Sequence, residues 1–535
     1  MFTLMLERDQ VLPHTVEALA HDRGGDVAMI DVNGPSMTWA ELHDQCLRWA
    51  AAYLEVGVAP GDTIVTMLPN TLDSYLTWLG AAWAGALEVP ANNMFRGETL
   101  RYLLENSLAR LLVIAERYVP RLAEVADQLS TLEAVVVLDA SSAPEGLPFR
   151  VLTGQEFLKP GPAQGLTGPE YYDSAALLYT SGTTGPSKGV LVPWAQMYQS
   201  PCIMPEGFLQ PGRAYYTTYP AFHLSGKLGL YNAAVYQSHM VLRESFSATE
   251  FWNDIRKYDV RAAAMLGPVA ALIMIQPPAA EDLDNPLDDV MMGPIIPNID
   301  EFKARFGVRR VATGFGMTEI GFPLASGWDP PNPRTCGRRR VGAPGFEIRL
   351  GDAHDEPVPV GTTGQMLLRS DDPWVITPGY WGRPEATAEA WRNGWFHTGD
   401  VFYEDEDGWF YFVDRSKDAL RRRGENVSSF EVEAGILQHP DVAEVAVIGV
   451  PSDLNEDEVK AVIVRRPGSE LTAEALIEFL IPRMPRFMIP RFVEWTETLP
   501  KTDATFRVQK AVLRTDPFNA ATWDRDKAGI KLPKD

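Results

Sequence analysis

Helical and strand patterns alternate along the first part of the chain, and this alternation limits the folds it can adopt. Residues 41–57 carry apolar side chains at helical spacing and end at a glycine. Short apolar runs at 61–68 and 111–116 are typical of buried strands. The apolar run 76–87 is too short to span a bilayer and predicts a buried helix leading into a strand. Strands that alternate with helices predict a mostly parallel sheet covered on both faces.

The pattern changes beyond about residue 340. Short strand-like segments bounded by turns predict a smaller β-rich section, at 345–350, 364–370 and 408–414. From about residue 418 onward, helices and strands are predicted in a compact stretch that follows a hinge near residues 414–418. The last residues, 524–535, are polar and are expected to be disordered.

These patterns together predict an α/β protein with two domains. The large N-terminal domain, 1–415, would consist of α/β subdomains with the β-rich section. The C-terminal domain, 416–535, would be a small, mobile α+β domain that acts as a lid.

Net charge limits the kinds of binding partner, and cysteine content indicates the cellular compartment. The chain has 48 Lys and Arg against 71 Asp and Glu, a net charge of −23, so its surface should repel nucleic acid and anionic lipid. Three distant cysteines, Cys46, Cys202 and Cys336, imply no disulfide framework and favour a reducing cytoplasm. We expect a soluble cytoplasmic protein with no integral membrane segment. The sequence does not specify the oligomeric state, and a homodimer is one possibility.

A run rich in glycine and hydroxyl side chains, YTSGTTGPSKGV, lies at 179–190, directly after an apolar strand pattern. Glycines let backbone N–H groups converge, while hydroxyls and Lys188 supply further donors and charge for phosphate oxygens. It is not a Walker loop, because Gly189 follows Lys188 where Ser or Thr is required. Such composition also occurs in ordinary surface turns, but the preceding strand favours a phosphate-binding loop. The expected contacts are Thr180, Ser181, Gly182, Thr183, Thr184, Gly185 and Lys188.

This run resembles the phosphate-binding signature of the adenylate-forming superfamily, which includes acyl-CoA synthetases, peptide-synthetase adenylation domains and firefly-type luciferases. Further segments match the motifs of the superfamily in order: PAFHLSG (220–226), GFGMTEIG (314–321), GYWGRPEAT (379–387), GWFHTGD (394–400) and DRSKDALRRRGENVSSFEVE (414–433). Agreement of several motifs in order identifies the chain as a member. Within the superfamily, RRRGENVSSFEVE is most similar to acyl-CoA ligases of the carnitine-CoA ligase and medium-chain type.

The resemblance implies roles for the matched residues of the N-terminal domain. Glu319 would bind Mg²⁺, a hard cation that prefers oxygen ligands, and Thr318 would contact the α-phosphate of ATP. Thr184 is expected to act in catalysis. His223 would either act directly or only form part of the wall of the acyl pocket. Further expected nucleotide contacts are Gly314, Phe315, Gly316 and Met317.

Other matched residues lie at or beyond the predicted hinge. Asp400 and Arg415 would bond the ribose hydroxyls of ATP. Lys417 matches the hinge about which the C-terminal domain of the family swings. Gly424 would let the backbone approach the pantetheine of coenzyme A. The arginines at 421–423 would either meet the phosphates of coenzyme A or form a solvated charge run.

The chain departs from the family pattern at three places. Asp414 replaces a frequent glycine before Arg415, as in luciferase-like members. Phe315 stands where tyrosine is common, so a ring can still pack on adenine without the hydroxyl group. The segment LPKTDATFRVQK (499–510) has one extra residue where relatives have their catalytic lysine. Alignment from VQK places Arg507 at that position, whereas alignment from LPKT places Phe506 there. We predict Arg507, because the preceding loop absorbs insertions more easily. Lys501 and Lys510 are the nearby alternatives, and arginine is not a neutral exchange for lysine.

The predicted activity is that of an ATP-dependent carboxylic acid–CoA ligase, with ATP, Mg²⁺ and coenzyme A as its cofactors. The acid would first form an acyl-AMP with release of pyrophosphate, and the thiol of coenzyme A would then displace AMP. Two alternatives are a ligase that loads a carrier protein and a non-catalytic binder of acyl groups or nucleotides. The sequence does not specify the acid. Lys227 could recognise a second anionic group on it, although a solvent-facing lysine is expected.

Overall fold

A computed structural model describes residues 7–180, 187–340, 345–415, 420–422, 425–427, 429–451, 457–484, 486, 488–501 and 508–532. The chain divides into two compact units. The first unit consists of Met1–Glu347 and Arg369–Trp395, and the second of Ile348–Leu368 and Phe396–Asp535. The sequence predicts a domain boundary between residues 415 and 416, where a mobile lid would begin. That boundary stays a prediction.

The strands of the first unit are β1 (Val27–Asp31), β2 (Ser36–Thr38), β3 (Thr63–Met67), β4 (Leu87–Pro90), β5 (Leu111–Ile114), β6 (Ala134–Val137), β7 (Arg150–Thr153), β8 (Ser174–Thr180), β9 (Lys188–Pro193), β10 (Ala214–Thr217), β11 (His239–Leu242), β12 (Val260–Leu266), β13 (Asp289–Gly293), β14 (Arg310–Met317), β15 (Gly321–Trp328) and β16 (Thr335–Arg339). Its helices are α1 (Leu12–Arg23), α2 (Trp39–Glu55), α3 (Leu72–Trp83), α4 (Gly97–Asn106), α5 (Val119–Ala123), α6 (Gly154–Phe157), α7 (Trp194–Met197), α8 (Gln199–Ile203), α9 (Leu224–Val235), α10 (Phe251–Lys257), α11 (Gly267–Met274), α12 (Ile299–Phe306) and α13 (Pro384–Ala390).

Two sheets and a hairpin organise these strands. Strands β4, β3, β5, β6 and β7 form a parallel sheet in that order, as the alternation of helices and strands predicts. In the second sheet, the strands of this unit follow the order β16, β15, β14, β13, β12, β10, β11, β1 and β2. Its central strands from β14 to β1 are parallel. Strands β8 and β9 pair antiparallel and flank the glycine-rich run.

Local signals in the sequence start the helices, and apolar burial holds them in place. Helix α2 begins with a capping box, in which the side chains of Thr38 and Glu41 each accept a bond from the other's backbone N–H. Its residues Trp49 and Tyr53 are fully buried, as is Trp78 on α3. Burial of each such ring contributes on the order of 2–3 kcal/mol. The predicted buried helix and following strand are therefore confirmed in α3 and β4.

The second unit contains the strands β17 (Glu347–Gly351), β18 (Gly364–Arg369), β19 (Phe396–Glu404), β20 (Trp409–Arg415), β21 (Leu420–Arg422), β22 (Glu425–Val427), β23 (Val442–Pro451), β24 (Asp457–Arg465), β25 (Phe492–Thr496) and β26 (Thr522–Asp524). Its helices are α14 (Ser429–Ile436), α15 (Ala473–Leu480) and α16 (Lys510–Thr515). Strands β17 to β20 follow one another in one sheet, which confirms the predicted β-rich section. Strands β23 to β26 form a four-stranded sheet, so the predicted small α+β region is also confirmed.

The expected disorder of the polar C-terminal residues is wrong for 524–532. Asp524 closes strand β26 and accepts a bond from Arg491 Nε at 3.3 Å. Arg525 is buried, and Leu532 belongs to the core under the four-stranded sheet. These ion pairs and apolar contacts offset the loss of conformational entropy that ordering the segment costs. The polar composition of the segment does not reveal these contacts. In the described parts of the chain, no helix is both long and apolar enough to cross a membrane.

Candidate active site

The ends of strands β8 and β9 frame the predicted phosphate-binding run. Thr180 and Lys188 are paired across the two strands, so both predicted contacts stand at the mouth of the hairpin. The Tyr102 hydroxyl donates to the Ser187 carbonyl at 3.0 Å, and Arg383 Nη2 donates to the same hydroxyl at 3.0 Å. These bonds anchor the run on its C-terminal side. The remaining predicted contacts lie outside the described residues: Ser181, Gly182, Thr183, Thr184 and Gly185.

Strand β9 carries a second neighbour from a distant motif. Val190 forms an antiparallel bridge with Tyr380, and Leu191 N donates to Gly379 O at 3.2 Å. The Lys188 ammonium lies 4.7 Å from the centroid of the Tyr380 ring. Two motifs that are remote in sequence are therefore joined by backbone pairing. An ammonium over an aromatic face is attracted by the ring quadrupole, which favours a fixed position for the Lys188 charge.

Glu319 stands at the tip of the hairpin between β14 and β15. Its side chain is only 8% exposed, and Tyr380 Oη donates to its Oε1 at 3.2 Å. Thr377 N donates to the Glu319 carbonyl at 2.8 Å. Burial and the neighbouring Glu319 carboxylate both raise the pKa of Tyr380, so its phenol stays a neutral donor at physiological pH. Our sequence reasoning did not single out Tyr380, although it lies in the GYWGRPEAT motif.

The glycines before this tip are required by close packing. A Cβ on Gly314 would lie 2.8 Å from the Leu324 carbonyl oxygen, and one on Gly316 would lie 2.6 Å from the Gly321 oxygen. Strand β14, which also carries Phe315 and Met317, can therefore approach β15 only with glycine at these positions. The predicted nucleotide contacts of Gly314, Phe315, Gly316 and Met317 stay predictions.

His223 immediately precedes helix α9 and is half-buried, with its Nε2 atom enclosed. Its Nε2 atom has no hydrogen-bond partner among the residues that the structure describes. Burial lowers the pKa of His223 to about 4, so the imidazole is neutral at physiological pH. The surrounding segment is held by Asn70, whose Oδ1 accepts from Ala221 N at 3.0 Å, and by Tyr75, whose hydroxyl donates to Gly226 O at 3.1 Å. A buried polar atom with no partner is costly, which favours a ligand contact there.

The expectation of a solvent-facing Lys227 is wrong. Its side chain is fully buried one helical turn after His223, and its ammonium donates to the Glu88 carboxylate. The ammonium also lies 4.4 Å from the centroid of the Trp78 ring, and Thr66 Oγ1 donates to Glu88 Oε1 at 2.8 Å. Burial lowers the pKa of Lys227 and raises the pKa of Glu88. This ammonium therefore already has an internal anion as its partner.

The second unit carries the two residues predicted to bind ribose. Asp400 on β19 and Arg415 on β20 are directly paired across the two strands. Asp400 is buried, and its backbone N–H donates to Thr398 Oγ1 at 3.1 Å. Lys417 and Gly424 lie outside the described residues. Strands β21 and β22 pair antiparallel on either side of Gly424.

Two alternatives to Arg507 are held in ion pairs within the second unit. The Lys501 ammonium pairs with Glu444, and Lys510 Nζ lies 2.8 Å from Glu433 Oε1. A backbone bridge joins Lys501 to Val508. Arg507 itself lies outside the described residues.

A divalent ion at this site would take few ligands from the protein. Within the described ranges, no group of three or more His, Cys, Asp or Glu side chains could hold a metal ion. Glu319 supplies a single hard carboxylate at the tip of its hairpin. This donor set fits Mg²⁺, which usually keeps several waters and binds through one or two carboxylates and the phosphates of a substrate.

The chain belongs to the AMP-binding enzyme family. The model for AMP-binding enzymes matches residues 16–381, and the model for the C-terminal domain of these enzymes matches residues 431–505. The resemblance to the adenylate-forming superfamily is therefore confirmed across both parts of the chain.

Similar proteins narrow the class further. The crotonobetaine/carnitine–CoA ligase of Citrobacter koseri is 33% identical over 480 residues, which cover 87% of this chain and 90% of the relative. The enzyme of the same name from Salmonella typhimurium is 31% identical over 476 residues, with the same coverage of 87% and 90%. These relatives confirm the predicted class of an AMP-forming, ATP-dependent acid–CoA ligase.

Solved structures confirm the predicted fold. The anthranilate–CoA ligase AuaEII, in complex with anthranoyl-AMP, matches with a TM-score of 0.84 and 24% identity, covering 97% of this chain and 98% of its own. A benzoate–CoA ligase from Burkholderia xenovorans matches with a TM-score of 0.82 and 23% identity, covering 96% and 100%. Both have the large α/β part and the smaller C-terminal part seen here.

Proposed function

We propose that this ligase joins a carboxylic acid to AMP at a site built around the Glu319 tip, and then passes the acyl group to coenzyme A. The observation that carries the proposal is the convergence of three motifs in the first unit. Tyr380 contacts the Glu319 carboxylate with its hydroxyl and the Lys188 ammonium with its ring. A carboxylate and an ammonium held by one neutral phenol suit a triphosphate, which needs both a metal ligand and a positive charge.

In the first step the protein positions two anions that repel each other, the carboxylate of the acid and the α-phosphate of ATP. Lys188 and Arg507 would supply positive charge, and the Thr318 hydroxyl would donate to the α-phosphate. Thr184 and the other residues of the glycine-rich run would hold the outer phosphates. Mg²⁺, held by Glu319, would neutralise phosphate charge when bound. The oxygen of the acid then attacks phosphorus and pyrophosphate leaves.

The acid would lie near His223. This imidazole is neutral, so it can orient a carboxylate through a hydrogen bond but cannot neutralise its charge. The unpartnered Nε2 supports a direct contact over a purely structural position in the pocket wall. Since Lys227 is already paired with Glu88, an acid with a single carboxylate suits the described surroundings of helix α9.

In the second step the sulfur of coenzyme A attacks the acyl carbonyl and gives up its proton. A C–S bond forms, and the C–O bond to AMP breaks so that AMP leaves with both bonding electrons. Asp400 and Arg415 would hold the ribose of the nucleotide. We propose that residues 416–535 form a lid that turns about Lys417 between the steps, and that Gly424 then lets pantetheine pass close to the backbone. The three cysteines form no disulfide, which supports a cytoplasmic site of action.

Substitution of Glu319 by glutamine tests this proposal. We expect pyrophosphate release at limiting Mg²⁺ to fall by about 10²–10³-fold, since a charge-stabilising group is lost. The exposed residue Glu281 provides the matched control, and Glu281→Gln should release pyrophosphate as the wild type does. The acids should include carnitine, crotonobetaine, benzoate and anthranilate, which the names of similar enzymes suggest.

The products distinguish the alternatives. Formation of acyl-CoA supports the ligase, whereas acyl-AMP without transfer to coenzyme A would favour an enzyme that loads a carrier protein. Absence of pyrophosphate release with every acid would favour a non-catalytic binder. Wild-type Mg²⁺ dependence in Glu319→Gln would remove Glu319 from the metal site.

A further inference from the structure

Two buried glutamines lie behind the Glu319 tip. Gln196 on α7 and Gln199 on α8 are 1% and 0% exposed. Gln196 Nε2 donates to the Thr318 carbonyl at 2.6 Å. This bond fixes the backbone on the N-terminal side of Glu319. A primary amide can only bond a carbonyl through its NH₂ group, so the orientation of the Gln196 side chain is also fixed.

Gln199 holds the other side of the same tip. Its Oε1 accepts from Phe322 N at 3.1 Å, and its Nε2 donates to the Val375 carbonyl. The amide packs so closely that a Cβ on Gly321 would lie 2.6 Å from it. Gly321 has a positive φ of 64°, which also favours glycine there. The backbone is therefore bonded to glutamine side chains both before and after Glu319.

The same short segment connects the tip to the predicted phosphate-binding strand. Strand β9 begins at Lys188 and ends at Pro193, and helix α7 with Gln196 follows directly. Thr377, close in sequence to Val375, donates from Oγ1 to the Leu191 carbonyl at 2.7 Å. Lys188 and Glu319 thus share one hydrogen-bonded frame, although they are far apart in sequence.

The other polar atom of the Gln196 amide is its oxygen. Gln196 Oε1 is buried and has no hydrogen-bond partner in the part of the chain that the structure describes. A buried acceptor left without a partner costs about 1–3 kcal/mol. An apolar side chain of similar size would avoid this cost but would lose the bond to the Thr318 carbonyl, so the glutamine at this position serves that bond.

We propose that Gln196 and Gln199 are positioning residues that hold Thr318 and Glu319 in the geometry required by the nucleotide and its metal ion. The inference rests on the proposed function of Glu319. Residues that orient a metal ligand by hydrogen bonds typically change metal affinity by about 10–100-fold when they are replaced.

The test measures how much Mg²⁺ strengthens ATP binding, as the ratio of the dissociation constants of ATP in EDTA and in Mg²⁺. Equilibrium dialysis gives both values without turnover. In Gln196→Met and Gln199→Met, we expect this ratio to fall about 10-fold or more. Gln199→Glu keeps the acceptor for Phe322 N–H and loses the bond to the Val375 carbonyl only when it is ionised, so it should recover part of the ratio.

A matched control removes a bond of the same kind elsewhere in the first unit. Thr63 Oγ1 is buried and donates to the Ser107 carbonyl at 2.8 Å, in the five-stranded sheet. Thr63→Val should lower the urea midpoint without changing the Mg²⁺ ratio. In the Glu319→Gln background, replacement of either glutamine should change the ratio no further, because the group that it positions has been removed.

The outcomes separate this inference from the function on which it rests. If Glu319→Gln leaves the ratio unchanged, the metal role of Glu319 fails, and the inference fails with it. If Glu319→Gln lowers the ratio while folded Gln196→Met and Gln199→Met keep it, only the positioning role is overturned. Loss of the folded state in both methionine variants would also overturn it, because the glutamines would then serve stability.

Discussion

Replacement of Lys227 by methionine would leave the Glu88 carboxylate in a fully buried site without its cation. Methionine is similar in length and can still pack against the Trp78 ring, so the main change is loss of the charge. Thr66 Oγ1 still donates to the carboxylate, at 2.8 Å from Glu88 Oε1. Glu88 and Lys227 are each about 1% exposed in their side chains, so water cannot readily replace the ammonium.

The expected cost follows from this enclosure. Removal of one partner from a buried ion pair typically costs about 3–5 kcal/mol, because the other charge stays desolvated. Replacement of both partners by apolar residues is often close to neutral. We therefore expect Lys227→Met to lose about 3–5 kcal/mol of unfolding free energy. The double variant Glu88→Leu, Lys227→Met should lose less than either single variant.

The loss in Lys227→Met should also depend on pH. Burial raises the pKa of Glu88, and removal of the ammonium adds to that rise. The folded variant then binds a proton more readily than its unfolded chain. Its stability relative to the wild type should improve as pH falls through the raised pKa, because a protonated Glu88 no longer needs a cation.

Urea unfolding followed by tryptophan fluorescence measures these differences. Lys303 provides the control, because its ion pair with Asp329 at 2.9 Å is partly exposed, with side chains 27% and 45% accessible. Lys303→Met should cost no more than about 1 kcal/mol. A loss below about 1 kcal/mol in Lys227→Met, or a double variant equal to the sum of the singles, would refute the reasoning.

Three further predictions concern the catalytic cycle and its pH range. Lys417→Pro fixes φ and removes a donor, so acyl-AMP should still form in a single turnover while acyl-CoA does not; equal loss of both steps would contradict a hinge there. Arg507→Ala should slow pyrophosphate release by about 10²–10³-fold, and a loss confined to Lys501→Ala or Lys510→Ala would show that the alignment is wrong. The pKa of His223 falls from 6.5 to about 4 on folding, so the unfolded chain binds the extra proton between these values. The wild type should therefore lose up to about 3 kcal/mol as pH falls through this window, and His223→Gln should lack that part of the loss in urea midpoints.

Local patterns in the sequence predicted several of the elements. The periodicity of 41–57 gave α2, and the apolar runs at 61–68 and 111–116 gave β3 and β5. Such patterns work because a helix or strand repeats its buried face every few residues. The order of motifs also identified the enzyme class, since each motif occupies a short continuous segment.

These local patterns could not predict contacts between residues that are far apart in the sequence. Lys227 and Glu88 are separated by 139 residues, and neither has a neighbour in sequence that indicates an ion pair. Tyr380 meets Glu319 across 61 residues, and Gln196 meets Thr318 across 122. Only the folded chain brings these groups together. The polar C-terminal end was misjudged for the same reason, because its order depends on the distant Arg491.

The first unit is discontinuous in sequence, and this affects the order in which it can form. A chain synthesised from its N-terminus exposes Lys188 and Glu319 well before the segment Arg369–Trp395. Until that segment emerges, β9 lacks its bridge to Tyr380, and the Glu319 carboxylate lacks the Tyr380 hydroxyl. Residues 348–368, which belong to the other unit, are made in between. The ribosome therefore releases part of the second unit before the first is complete. A fragment that stops at Glu347 would contain the Glu319 tip without Tyr380, whose hydroxyl donates to the Glu319 carboxylate.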